Sequence, residues 1–351
     1  KMLYLCTWYI VHACVMVQNR NINIDLAKAL AMVLVVLQHA WTMLDLDNPE
    51  LGLMCGAYRA IATVGVPLFV FVSGALLLPR PIASLRLFYK KRMLRLLLPF
   101  VVLALVVYLM TLCTGGYTWW DGTIKNAIIS FVPALLNNQI NTFHWFVHML
   151  LVLYLLTPFI QYALQRLSQR EVEGGLLVWS VVMLLKQYYP SLAILQYVGS
   201  LWTYMGVYIA GYYIIQYRVG ERMYLWIATI ATLLLYVWDM LTDCATQLGL
   251  PLTAIVLGML LLNVPMKTVS DVSFVRQVIR NTSRYSYTIY LLHIPFIRML
   301  YQVLPNVISM NEQVTAWMPL WIMPIVMVTF YIGCLCYDKI KYLPNQLIGI
   351  G

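Results

Sequence analysis

The stretch INIDLAKALAMVLVVLQHAWTML, residues 22–44, is apolar for long enough to cross a bilayer, yet it carries Asp25, Lys28 and His39. An ionisable side chain inside a membrane span costs free energy, so a span that keeps several is first read as part of a functional site. Lys28 and His39 are eleven positions apart. At about 100° per residue, eleven residues return to within about 20° of one helix face, about 16.5 Å further along the axis. With Lys28 at the edge of a hydrocarbon core about 30 Å thick, His39 is expected a little past the midplane. A charged mouth and a buried base then face one channel.

The remainder of the chain supports a membrane reading. Of its 351 residues 62% are hydrophobic and only 10% charged, with mean hydropathy +0.79. Soluble domains carry about 25% charged residues, so a water-soluble class is excluded. Runs able to span fall at 22–44, 56–78, 93–113, 145–164, 175–190, 198–217, 223–241, 249–265, 285–304 and 316–337. The expected fold is all-α and polytopic, with about ten transmembrane helices; the run 175–190 is the weakest.

Basic residues orient it. Placing Arg20 in the cytosol puts most of the 23 Lys and Arg on that side, from Arg80 through the cluster Arg86 to Arg95 and on to Lys341, and leaves Lys125 and Lys186 outside. This positive-inside bias predicts that both ends of the core are cytosolic. The net charge of +10 suits anionic lipid headgroups or an anionic substrate, and nothing points to nucleic acid.

Seven cysteines lie in apolar segments without a CxxC pair or zinc spacing and read as small hydrophobes. A disulfide among Cys55, Cys113 and Cys244, which all fall near the outer face, is left open. Residues 1–20 form an apolar extension, short for a span and without a cleavage site, whose status is uncertain. A single membrane domain is expected over 21–338, with a short cytosolic tail at 339–351. The longest connection, 114–143, is outer; Trp119 and Trp120 suit an interface, and 124–136 reads as an amphipathic helix lying on the outer leaflet.

Further motifs follow in order: Val66-Pro67-Leu68-Phe69 leading to Ser73-Gly74; Arg92 and Arg95, spaced i, i+3 at the start of the third span; Trp145-Phe146 before LVLYLLTP; and SYTIYLLHIP at 286–295. On a helix the two guanidiniums share a face and can fork onto phosphate oxygens, with Arg86, Lys90 and Lys91 adding to the field. Together with Ile24-Asp25 and Lys28-x10-His39, these pieces resemble the acyltransferase 3 family of integral membrane acyltransferases over about residues 22–300.

The resemblance implies transfer of an acyl group, usually acetyl from acetyl-CoA, to a hydroxyl of a surface polysaccharide or lipid-linked sugar at a bacterial cytoplasmic membrane. It implies His39 as the essential histidine, with Lys28, Arg92 and Arg95 binding the donor. Acyl-CoA is then a co-substrate and no cofactor is expected to be bound. Coenzyme A phosphates cannot enter hydrocarbon, so they should stay at the cytosolic mouth while the uncharged pantetheine arm threads inward. Burial disfavours a cation, leaving His39 able to accept the proton of the attacking hydroxyl. Ser73, Tyr287 and Tyr290 are candidate oxyanion donors, and direct transfer is not separable from an acyl-histidine intermediate. Asp25 and Trp145 are candidates for support or acceptor contacts.

Other polar residues carry two readings. His293 is either a structural hydrogen-bonding residue or part of the acyl channel. Arg59 and Arg298 need partners, and Asp45, Asp47, Asp239 and Asp243 are candidates for a clasp or an acceptor site. His144 and His148, spaced i, i+4, lack a third ligand, and no metal site is expected. The competing class is a transporter or flippase for an anionic or lipid-linked glycan, with His39 as a proton relay; a third reading is an inactive structural partner in glycan synthesis.

Overall fold

Apolar faces turned outward define the architecture. The computed structural model describes residues 21–42, 58, 61–113, 122–140, 144–189, 191–192, 195, 199–218, 230, 249–264, 273–307 and 312–347. Among them are ten helices: α1 (Ile22–Trp41), α2 (Gly65–Leu77), α3 (Leu85–Cys113), α4 (Ile124–Leu136), α5 (Trp145–Leu164), α6 (Gln169–Tyr188), α7 (Ser200–Tyr217), α8 (Gly249–Asn263), α9 (Ser273–Val307) and α10 (Glu312–Leu347). Helix α3 buries Leu96, Phe100, Ala104, Tyr108 and Leu112, one side chain per turn, and exposes Leu98, Val102, Leu109 and Met110 on its other face. An exposed apolar face of that extent needs a hydrocarbon partner. Helices Ile22–Trp41, Leu85–Cys113, Trp145–Leu164 and Trp317–Asp338 are long and apolar enough to cross a membrane; Gly65–Leu77, Ile124–Leu136 and Pro251–Asn263 are shorter apolar helices.

Local chemistry explains several boundaries. The run 56–78 is broken by a turn at 63–64, and α2 restarts with Pro67 in its first turn, where a missing N–H costs least. The third span, expected at 93–113, is helical already from Leu85, where Ser84 caps α3: its Oγ accepts from the Leu87 amide. Helix α6 begins at Gln169, with Ser168 and Glu171 forming a capping box, which explains a helix where the apolar signal is weak. The expected amphipathic helix at 124–136 is present as α4. The run 223–241 apart from Ile230, residues 1–20, Arg59, Trp119, Trp120, Cys55, Cys244 and the four outer aspartates lie outside the described residues. Cys113 carries a free thiol, and Arg298 lies on the exposed side of α9.

The chain divides into two compact units, one made of Lys1–Phe69 and Leu257–Gly351, the other of Val70–Val256. In the first, α1 packs against α9 and α10, and α9 against α10. The Ser283 hydroxyl donates to Asp25 at 2.6 Å and the Tyr301 hydroxyl to the Ala40 carbonyl at 2.8 Å, so α1 and α9 run parallel. The side-chain amide of Asn23 donates to the carbonyls of Leu262 and Val264, at the C-terminal end of α8, where the helix itself supplies no donor. Arg284 pairs with Asp338, which also accepts from the Tyr285 hydroxyl.

In the second unit α3 packs on α4 and α5, and α7 on α5 and α6. The Tyr108 hydroxyl donates to Ala127, fixing α4, and His148 reaches the Leu135 carbonyl at 2.9 Å. Two glycines set how closely α2 approaches α7: a Cβ on Gly74 would stand 1.8 Å from the Tyr208 carbonyl oxygen, and one on Gly211 2.0 Å from that of Phe71. Each clash is with backbone, which cannot rotate away. Gly74→Ala and Gly211→Ala are therefore each expected to cost about 1–3 kcal/mol. Gly174→Ala and Gly175→Ala, which meet nothing within 4 Å, should be neutral or stabilising by up to about 1 kcal/mol. Thermal unfolding in detergent checks the contrast.

Candidate active site

Helix α1 carries Asp25, Lys28 and His39 into the first unit in the expected order. Asp25 is buried in the first turn and bonded to Ser283; the structure places it as a strut between α1 and α9. Lys28 is half-buried on the same helix. His39, in the last turn, is half-buried as a residue, with its Nδ1 atom fully buried.

The wholly buried imidazole is that of His293 on α9, with 0% of its surface exposed. Its ring centroid lies 5.0 Å from that of His39, and the planes are tilted by 49°. Nδ1 of His293 lies 2.6 Å from the Tyr290 carbonyl oxygen and 3.1 Å from that of Ile289. The Tyr290 ring stands 5.7 Å from His293 and stacks on Tyr287. The first unit thus brings together His39, His293 and Tyr290, three of the residues singled out in sequence.

The second unit holds Ser73, Arg92, Arg95 and Trp145. Arg92 is half-buried while Arg95 is exposed, although both belong to one helix. A cavity of about 300 Å³ opens beside the first turns of α3, lined by Arg80, Ser84, Phe88, Lys91 and Arg92 among others; Arg95 is not part of its wall. The turn carrying Arg80 is held by Gln161, whose side-chain amide donates to the carbonyls of Leu78 and Arg80. Ser73 hydrogen-bonds Tyr154, whose hydroxyl is also within the field of Arg92. A separate hydrogen bond joins Thr157 and Tyr208 at 2.9 Å, with Tyr208 within the field of Tyr154. Trp145 is partly exposed, with its ring 5.8 Å from that of Tyr204.

Sequence reading did not single out Tyr154 or assign Arg80 to a site. A signal for Tyr154 existed: Tyr154, Thr157 and Gln161 fall i, i+3, i+7 on one stripe of α5, a polar line through an otherwise apolar helix. The two ring nitrogens of His148 lie 3.1 Å from the His144 carbonyl and 2.9 Å from that of Leu135, and a neutral ring can donate to one of them. No group of three metal-ligating side chains occurs among the described residues.

Membrane-length helices, one of them carrying a polar stripe, define an integral membrane protein. The chain matches a family model described as an acyltransferase domain, that of the acyltransferase 3 family, over residues 21–338. It belongs to that family and is a membrane acyltransferase. Neither a curated protein nor a solved structure matches it.

The strut role of Asp25 has a separable consequence. Asp25→Ala removes a charge-assisted hydrogen bond and leaves the buried Ser283 hydroxyl without its acceptor, an expected loss of about 1.5–3 kcal/mol in stability. The KM for the acyl donor should stay within about twofold of wild type once folded protein is normalised, a readout that separates a strut from a ligand.

Proposed function

We propose that the protein moves an acetyl group from cytosolic acetyl-CoA to a hydroxyl of a surface polysaccharide or lipid-linked sugar, across a bacterial cytoplasmic membrane, with His39 as general base. The observation that carries the donor assignment is the cleft at the start of α3. Arg80, Lys91 and Arg92 line it, and the first turn of α3, capped at Ser84, adds the positive end of a helix whose leading amides favour anions. Three cations and a helix N-terminus suit the phosphates of coenzyme A, and a sugar hydroxyl has no need of them.

In the transfer, the acceptor oxygen bonds to the thioester carbonyl carbon as His39 takes its proton. The C–S bond then breaks, and the proton passes from His39 to the departing sulfur, leaving an ester and free coenzyme A. Both products form without oxidant, metal or bound cofactor. The oxyanion that develops on the carbonyl needs a donor, and Tyr290 is a candidate because it stands beside the His39–His293 pair. Lys28, on the same helix as His39, adds positive charge near the cytosolic edge for the donor.

Incubation of the purified protein in lipid nanodiscs with radiolabelled acetyl-CoA and extracted envelope polysaccharide tests this reading. Label should pass to glycan, and His39→Ala should lose at least about 10²-fold in rate with its thermal unfolding unchanged. Full activity in that variant refutes the base. The cleft ranks the arginines unequally: Arg92→Ala should raise the KM for acetyl-CoA by about 10-fold or more, as loss of a charged hydrogen bond would, and Arg95→Ala should change it by less than about threefold.

A further inference from the structure

The nitrogen of His293 that faces away from its own helix carries a second consequence. Nδ1 lies within hydrogen-bond distance of two carbonyl oxygens, Tyr290 and Ile289. Carbonyls only accept, so Nδ1 bears the proton, and in a neutral ring Nε2 is left with a lone pair. That Nε2 is buried and has no hydrogen-bond partner among the described residues. A buried acceptor left unmet costs about 1–3 kcal/mol, which favours any neighbouring N–H that can turn toward it.

We propose that this donor is the N–H already carried by the far nitrogen of neutral His39: His293 is a positioning residue that accepts it, which leaves the other nitrogen of His39 bare toward the acceptor hydroxyl and holds the imidazolium once the proton is taken. The inference rests on the reading of His39 as the base. A linear N–H···N bond of about 3 Å between two imidazoles puts their centroids about 5 Å apart. The observed 5.0 Å separation matches this, so rotation of the half-buried His39 ring within its pocket completes the contact. One nitrogen of His39 then faces the acceptor hydroxyl and the other faces His293. An imidazolium forming at an apolar site needs a partner on its far nitrogen. A carboxylate fills that place in serine hydrolase triads; here a neutral imidazole, locked in one tautomer by its own helix, would fill it. The proton stays on His39 and goes on to the leaving sulfur, so His293 begins and ends the cycle neutral.

Rates of label transfer from acetyl-CoA to extracted envelope polysaccharide, measured for the full chain in nanodiscs, test the idea with two substitutions of similar volume. A glutamine amide oxygen can occupy the Nε2 position; a leucine offers no acceptor. His293→Leu should lower kcat by about 10²-fold with the KM for acetyl-CoA within about twofold, and His293→Gln should stay within about 10-fold of wild type. A His293→Leu protein with wild-type kcat overturns the proposal, and so does equal impairment of the two variants. A second measurement needs no turnover: nitrogen NMR of histidine-labelled wild type should show His293 protonated at Nδ1 and bare at Nε2, with that Nε2 signal moving in His39→Ala. A protonated Nε2, or no response, overturns it. Absence of label transfer by wild type refutes the acyl-transfer reading instead, and the NMR result stands apart from it.

Discussion

Parallel packing of α1 against α9 is the constraint on which the rest depends. Two hydrogen bonds set its register, one at each end: Ser283 to Asp25 and Tyr301 to Ala40. The α1 face turned to its neighbours is rich in alanine, with Ala27, Ala31 and Ala40 fully buried. Small side chains let helices approach closely, and in hydrocarbon such packing and polar contacts replace the hydrophobic effect as the force holding helices together. Between the two pins stand His39 and His293. A shift of one helix turn, about 5.4 Å, would part the two rings.

The second unit uses the same physics for another purpose. Gly74 and Gly211 let α2 and α7 meet backbone to backbone, and that approach carries Ser73 on α2 toward Tyr154 on α5. Hydroxyls in an apolar setting favour one another as partners, and the pairs Ser73–Tyr154 and Thr157–Tyr208 are of this kind. Arg92 lies at the edge of these pairs and also in the wall of the cationic cleft. A single guanidinium thereby acts through its field on the polar interior while lining the cleft.

Much of this was legible because it is local. Apolar length predicts α1, α3 and α5; amphipathic spacing predicts α4; and Ser168 with Glu171 explains α6 even where hydropathy is weak. Lys28 and His39 lie on one helix whatever packs around them. Ser73-Gly74 was legible as a motif, but the reason for its glycine is a carbonyl on α7, which no local pattern contains. Likewise Arg92 and Arg95 look equivalent at i, i+3, and only the packing of α3 leaves one half-buried in the cleft wall and the other exposed.

The amino-acid sequence alone determined the all-helical membrane class, several of the helices and the family, because hydrophobic length, capping chemistry and motif order are properties of short segments. It also supplied both histidines, with His39 given a role and His293 left between two. Only the tertiary structure decided that His293 is the buried member, that its Nδ1 is spent on its own helix, and that its ring lies 5.0 Å from that of His39. The physical reason is the distance along the chain: His39 ends the first helix and His293 lies in the ninth. Their meeting depends on helix register, which side-chain packing across α1 and α9 sets and which neither segment encodes by itself.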